Sequence, residues 1–360
     1  GEWSNTAPVA FPQVVSTNQQ AIDLTLEGLD PERLPLTFTL EENPNIGNIL
    51  GLGYESSLLG SINTIGNSRD IVLSSDGNLA YIADGDQGLR AFDVSIPSAP
   101  SSLGGFDVSP GNSGSSRGID ISADDNTVFM ADSTGGLKIV SVAGNSFSIL
   151  GDVDTNGNAV DVVLSPDQQT AFVADTVSVK IIDVSTLGAP TILSQIVLGT
   201  AIGVDVAADG NTLYVADQTE GLCVIDISAS DGLSNPRLIE CLATPGFTSG
   251  VTVSPDGRRL YIADFGDGVH GYLINDPLNP VLFASADTDG SSYRVDVSAD
   301  GNQIFVADST SIRAFDVDTN SLTPVADLSL EGTVYSVAVG IGGTTVYVAS
   351  GNSGLQAVGF

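Results

Sequence analysis

The chain contains one histidine, His270, so a histidine-based catalytic triad has only one candidate for its base. Gly-rich phosphate loops and nucleophile elbows are also missing. No stretch approaches the roughly 18 apolar residues of a membrane helix, and the N-terminus lacks a basic-then-apolar leader. Membrane insertion is therefore not expected. Basic residues are scarce, with 11 Lys and Arg against 44 Asp and Glu, a formal net charge of -33. That balance argues against nucleic acid and anionic membrane surfaces and favours cations or cationic partners. It equally fits solubility in a salty or extracellular setting. The chain starts at Gly1 and has one methionine, Met130, so it is expected to be a processed product or an excised piece, with any targeting signal missing. Helical periodicity is almost absent.

What is present is a repeat. A hydrophobic run ends in Ala-Asp six times, at Asp84, Asp132, Asp175, Asp217, Asp264 and Asp308, and a seventh time as Tyr347-Val-Ala-Ser350. Successive steps are 48, 43, 42, 47, 44 and 42 residues, the period of a four-stranded propeller blade. Each unit opens with an apolar strand leading into a turn, as in Gly250-Val-Thr-Val-Ser-Pro-Asp-Gly257, where Asp-Gly is a hairpin signal. The Ala-Asp phrase is the second strand. A third runs from Gly-Leu to Asp-Val-Ser, as in Gly88-Leu-Arg-Ala-Phe-Asp-Val-Ser95, and a Pro-containing turn leads to a fourth.

Counting strands predicts how the ring closes. The last unit stops at its third strand, Gly354-Leu-Gln-Ala-Val-Gly-Phe360, while 56–65 reads as a fourth strand placed before the first complete unit. The sequence therefore predicts an all-β fold, a seven-bladed β-propeller over 55–360 in which strand 56–65 completes the last blade. Pairing the chain's two ends in one blade removes free sheet edges.

The Gly-Leu-x-x-x-Asp-Val-Ser phrases resemble LVIVD-type repeats, and the Ser-x-Asp-Gly-x-x-x-Tyr-Val-Ala-Asp phrases resemble the YVTN-type propeller repeats of bacterial surface proteins. The resemblance covers about residues 55 to 360 and implies a secreted or cell-surface propeller without assigned chemistry. Ser141, in place of the third-strand Asp, and Ser350 depart from it. Residues 1–54 follow a different grammar. The alternation from Ala21 to Leu40 marks two strands around an Asp-Pro turn and is similar to the first half of a cadherin-like or bacterial immunoglobulin-like module, with Ala7-Pro-Val-Ala10 before it. The expected second half does not follow, so either the propeller is inserted into such a module whose remainder lies beyond Phe360, which is the favoured expectation, or the segment is a truncated remnant packed on the propeller's side. In similar modules acids at the places of Asp30 and Glu32 are often linked to calcium.

Candidate sites follow from the repeat. The six Ala-Asp carboxylates should surround one mouth of the channel, either as a ring for a cation or basic ligand group or as acceptors of backbone N–H groups in their own tight turns. A third-strand column holds Arg90, Lys138, Lys180, Cys223, His270, Arg313 and Gln356; its basic members are expected to pair with neighbouring aspartates, and His270 to share that structural role. The loop Asp152-Val-Asp154-Thr-Asn156-Gly matches the opening of a calcium loop, although its twelfth position is Val163 rather than Glu. Asp287-Thr-Asp-Gly290 is a shorter echo of it. First-strand Asp120, Asp205 and Asp296 would serve acid-base chemistry or bind backbone. Cys223 and Cys241 face each other about a turn near Gly232, which suits a disulfide and an oxidising compartment, with two buried free thiols as the alternative.

The expectation is thus a non-catalytic extracellular or cell-surface binding or adhesion module. It would be a monomeric part of a longer chain, take a protein or glycan ligand on an acidic loop face, and carry Ca2+ as its cofactor. Two alternatives remain open: a lactonase-like, metal-dependent hydrolase at the channel mouth, and a structural spacer in an adhesin.

Overall fold

The computed structural model describes residues 9–10, 28–29, 56–110, 114–228 and 232–360. The chain divides into two compact units, Gly1–Tyr54 and Glu55–Phe360. In the first, Val9–Ala10 pairs antiparallel with Gly28–Leu29. The rest of the strand pair expected over 21–40, with Asp30 and Glu32, lies outside the described residues.

The second unit is a β-propeller, built from seven repeats of a four-strand antiparallel motif. Blade 1 runs Asp70–Leu73, Leu79–Ala83, Leu89–Asp93 and Ser101–Phe106, each strand pairing with the next. Blade 2 starts at Gly118–Ile121 and blade 3 at Asp161–Leu164. Blades 3 and 4 share one continuous strand, Thr191–Val206, whose first part is the fourth strand of blade 3 and whose end is the first strand of blade 4. Blade 5 begins at Gly250–Val253 and blade 6 at Ser292–Val297. In blade 6 the second and third strands run together as Gln303–Val317. Blade 7 comprises Ser336–Val339, Thr345–Ala349 and Leu355–Gly359, and Ser57–Ile62 completes it by pairing with the last of these. The two ends of the unit therefore meet in one sheet.

The turn chemistry is local. After the first strand of blade 1, Gly77 takes φ 68° and donates its N–H to the Ser74 carbonyl at 2.8 Å. Asp76 accepts from the Ser74 hydroxyl at 2.6 Å and from the Asn78 N–H at 3.0 Å, satisfying groups that a bare turn would leave to water.

The core lies between blades rather than within them. Seven apolar clusters each draw on two successive blades, and one of them joins blade 7 to blade 1 through Tyr347, Ala349 and Leu355 against Ile71, Ile82 and Phe92. The second strand supplies the centre of each cluster. Its aromatic residue, for example Phe172 or Tyr214, is fully buried, which explains the Tyr or Phe three residues before every Ala-Asp end. The first strands contact one another in order, and blade 7 contacts blade 1.

Candidate functional site

The channel between the first strands holds a cavity of about 310 Å³ lined by all seven blades. Above it, a second cavity of about 330 Å³ forms the mouth, and Arg294 lines both. The Arg294 guanidinium donates to Asp161 at 2.8 Å and lies 4.0 Å from Asp70, so its charge is matched. Those two carboxylates hold Arg294 strongly protonated.

Channel-lining side chains tie successive blades together. Asp120 accepts the N–H of Leu164 in blade 3, Asp205 that of Val253 in blade 5, and Asp296 that of Val339 in blade 7. Asp70 reaches Ile119 and Asp161 reaches Val204 in the same way. Thr252 donates to the Val295 carbonyl, and the Ser336 hydroxyl returns to Asp70 across the junction of the last and first blades. Every blade thus donates or accepts one such bond to the next. Burial pushes Asp120 and Asp205 up to about 7 and Asp296 to about 6, against the opposing pull of their backbone N–H partners. Asp70 and Asp161 complete this set but escape notice in the sequence, because they stand two positions earlier in their strands than Asp120, Asp205 and Asp296.

The six Ala-Asp carboxylates are buried, each at most 2% exposed. They accept mainly from the loop that enters their own blade, not from their own turn. Asp84 takes the Thr64 hydroxyl at 2.7 Å, the Gly66 N–H at 3.0 Å and the Ser68 hydroxyl at 3.0 Å. Asp264 repeats the pattern with Thr244, Gly246 and Thr248 at 2.8, 2.7 and 3.0 Å. Asp132 holds Ser109 and Ser116, Asp175 holds Thr155, and Asp308 holds Thr288. A Cβ on Gly66, Gly114, Gly157 or Gly290 would come within 2.6 Å of the matching carboxylate, so the docked loop needs glycine there. The signal that could have revealed this is Thr-x-Gly before the first strand in four of the seven blades: Thr64-Ile-Gly66, Thr155-Asn-Gly157, Thr244-Pro-Gly246 and Thr288-Asp-Gly290. Asp217 alone accepts from its own turn, through the N–H groups of Thr219 and Glu220.

The basic column completes these docks. Arg90 lies 3.6 Å from Asp84, Lys180 3.6 Å from Asp175, His270 3.3 Å from Asp264 and Arg313 3.1 Å from Asp308. Lys138 turns to Asp152 at 3.3 Å. In blade 7 the acid and the base change together: Ser350 and Gln356 both donate to the Glu331 carbonyl, at 2.5 and 2.7 Å. His270 also faces Asp267 at 3.3 Å, and with Asp264 these are the one trio of ionisable ligand types close enough to share a cation among the described residues.

In the loop read as a calcium motif, Asp152 faces Lys138 and Asp154 caps the N–H of Asn156 at 2.7 Å, while Thr155 turns inward to Asp175. Asn156 adopts φ 57°, placing the segment in a tight turn. It has the same form as the Thr288-Asp-Gly290 echo, where Asp287 caps Asp289 at 3.0 Å. Cys223 and Cys241 stand opposite each other on neighbouring strands and form a disulfide.

The mouth contains residues that sequence reading passed over. One equivalent position, at or just before the start of each blade's inner strand segment, faces it: Arg69, Arg117, Val160, Ile202, Ser249, Tyr293 and Tyr335. Phe265, Tyr293 and Tyr335 form a chain of ring contacts with centroids 5.5 and 5.2 Å apart, and the Arg69 guanidinium stacks on Tyr335 at 4.4 Å.

Residues 65–108 and 202–244 match the LVIVD repeat. The chain carries LVIVD repeats. No curated protein matches it by sequence. Among solved structures, this chain is similar to Kuenenia stuttgartiensis hydrazine synthase, with 15% identity, a TM-score of 0.66 and coverage of 83% of this chain and 97% of the other. It is also similar to a chain of the mitotic checkpoint complex, at 12% identity and a TM-score of 0.70 over 91% and 98% of the two chains. The β-propeller domain of Myceliophteria thermophila Cps50 (Swd1) gives 14% identity and a TM-score of 0.69 over 84% and 98%. At these identities the likeness shows the propeller fold alone.

Proposed function

We propose that this propeller is a non-catalytic binding module of an extracellular or cell-surface protein, with its ligand site at the channel mouth. The observation that carries the reading is a contrast in polar groups. Ala-Asp carboxylates are spent on docking loops, whereas the mouth presents arginine, tyrosine and phenylalanine side chains around an open cavity. Concave sites with a few convergent polar groups and aromatic walls are the usual form of a ligand pocket. The Cys223–Cys241 disulfide supports an oxidising compartment. Binding is favoured over the hydrolase alternative because Asp120, Asp205 and Asp296 each commit both oxygens to backbone N–H groups.

The test is a saturation-transfer NMR screen of sugars, short peptides, amines and organic acids against the protein and its Tyr335→Ala variant. At least one compound should bind the parent and lose its signal in the variant. A screen without hits, or with hits indifferent to Tyr335, would remove the mouth as the site.

A further inference from the structure

Arg69 and Arg117 occupy the same repeat position on blades 1 and 2 and line the mouth together. Neither has a carboxylate within 4 Å among the described residues, although acids outnumber bases four to one, 44 to 11. Of the other arginines among the described residues, Arg90, Arg237, Arg294 and Arg313 each have one, whereas Arg258 and Arg259, which lie outside the mouth, do not. In so acidic a chain, two guanidinium groups on successive blades of one mouth, without a carboxylate beside them among the described residues, represent a local excess of positive charge. They also repel each other: partial burial and the charge of Arg69 both push Arg117 downward from the usual arginine value. The stack of Arg69 on Tyr335 offsets part of that repulsion, and an anion placed between the two guanidinium groups would relieve the rest.

The rest of the mouth limits what the anion is. Tyr335 and Tyr293 continue the arc beside Arg69, followed by Phe265, so the cationic end adjoins an aromatic wall. Val160 and Ile202 face this arc across the cavity. The volume of about 330 Å³ suits one ring-sized molecule. The net charge of -33 opposes any anion and a monoanion least, because each further negative charge on the ligand again opposes the protein's field. Screening over roughly 8 Å at physiological salt leaves the two nearby arginines to dominate at contact.

We propose that the mouth binds a carboxylate carried on a six-membered ring, with the carboxylate between Arg69 and Arg117 and the ring against Tyr335 and Tyr293. An aromatic acid and a uronic acid residue of a glycan share this chemistry. The assignment rests on the reading of the mouth as a ligand site and adds the ligand's class.

Titration calorimetry with two matched pairs tests it: benzoate against benzyl alcohol, and methyl galacturonide against methyl galactoside. At least one acid should bind with one-to-one stoichiometry, and its neutral partner about 10-fold more weakly or worse, the scale of a charge-assisted hydrogen bond. The acid that binds identifies the source. Arg117→Gln should weaken that acid by a similar factor while leaving the melting temperature unchanged or higher, since no carboxylate partner among the described residues is lost; Arg258→Gln, a control outside the mouth, should change neither. The proposal is overturned if neither acid binds at millimolar concentration, if the neutral partner binds as well, if inorganic phosphate binds more tightly than both acids, or if Arg117→Gln has no effect. Neutral compounds that bind in a Tyr335-dependent way would overturn the ligand class and leave the mouth as the site.

Discussion

Asp120 holds two blades at once: one carboxylate oxygen accepts the N–H of Ile121 in its own strand and the other that of Leu164 in the next blade, both at 2.7 Å. Asp205 and Asp296 repeat this bridge on blades 4 and 6. A propeller's first strands are not hydrogen-bonded to each other as a ladder, so these side chains supply the polar contacts between them.

Replacing Asp120 with alanine leaves two backbone N–H groups without their acceptor. Asp120→Ala is expected to lose about 1–3 kcal/mol in urea denaturation, the usual penalty for unsatisfied buried donors. Asp86→Ala, at an exposed turn position, should lie within about 0.5 kcal/mol of the parent. Equal effects at the two positions would show that the bridges do not hold the ring.

The same three aspartates set a pH dependence. Their folded values are about 7, 7 and 6, above the ordinary 3.8. The folded state therefore binds more protons than the unfolded state between pH 4 and 7, and stability falls as pH rises through that window. The melting temperature is expected to be higher at pH 5 than at pH 8, and the triple Asn variant should flatten the difference. A melting temperature that rises with pH over this range would contradict the assignment.

The loop docks make a sharp steric prediction. A Cβ at Gly246 would lie 2.1 Å from the Asp264 carbonyl oxygen, whereas at Gly266 it would meet nothing within 4 Å. Gly246→Ala should cost about 1–3 kcal/mol, as overpacking does, and Gly266→Ala about 0.5 or less. Thermal denaturation of the two variants checks this, and similar melting temperatures would dissolve the idea of a tight dock.

The disulfide closes a short loop, with its cysteines 18 residues apart. In the loop-entropy model that contributes about 3 kcal/mol. Cys223→Ala/Cys241→Ala, or the parent kept under reductant, should be less stable by that order in a denaturant titration. No change on reduction would mean that the strand pairing alone already fixes the hairpin.

Much of the fold was legible in the sequence because blades are built from local chemistry. Asp-Gly turns, alternating strands and buried aromatics repeat within each unit, and the missing strand of blade 7 could be counted against the surplus strand Ser57–Ile62. Facing positions on neighbouring strands also made the Cys223–Cys241 pairing readable. The partners of the Ala-Asp carboxylates were harder to see. They come mostly from loops 16 to 23 residues upstream, such as Thr64 and Ser68 for Asp84 and Ser109 for Asp132, rather than from the adjoining turn.

The sequence by itself determined the period, the strand order and the pairing of basic third-strand side chains with nearby aspartates, since those depend on residues close along the chain. Only the tertiary structure decided that Arg69, Arg117, Tyr293 and Tyr335 belong to one mouth. Each stands singly in its repeat, tens of residues from the next, and carries no local signal. The circular arrangement of the blades brings that single position together, and with it a small cationic and aromatic site in an otherwise acidic molecule.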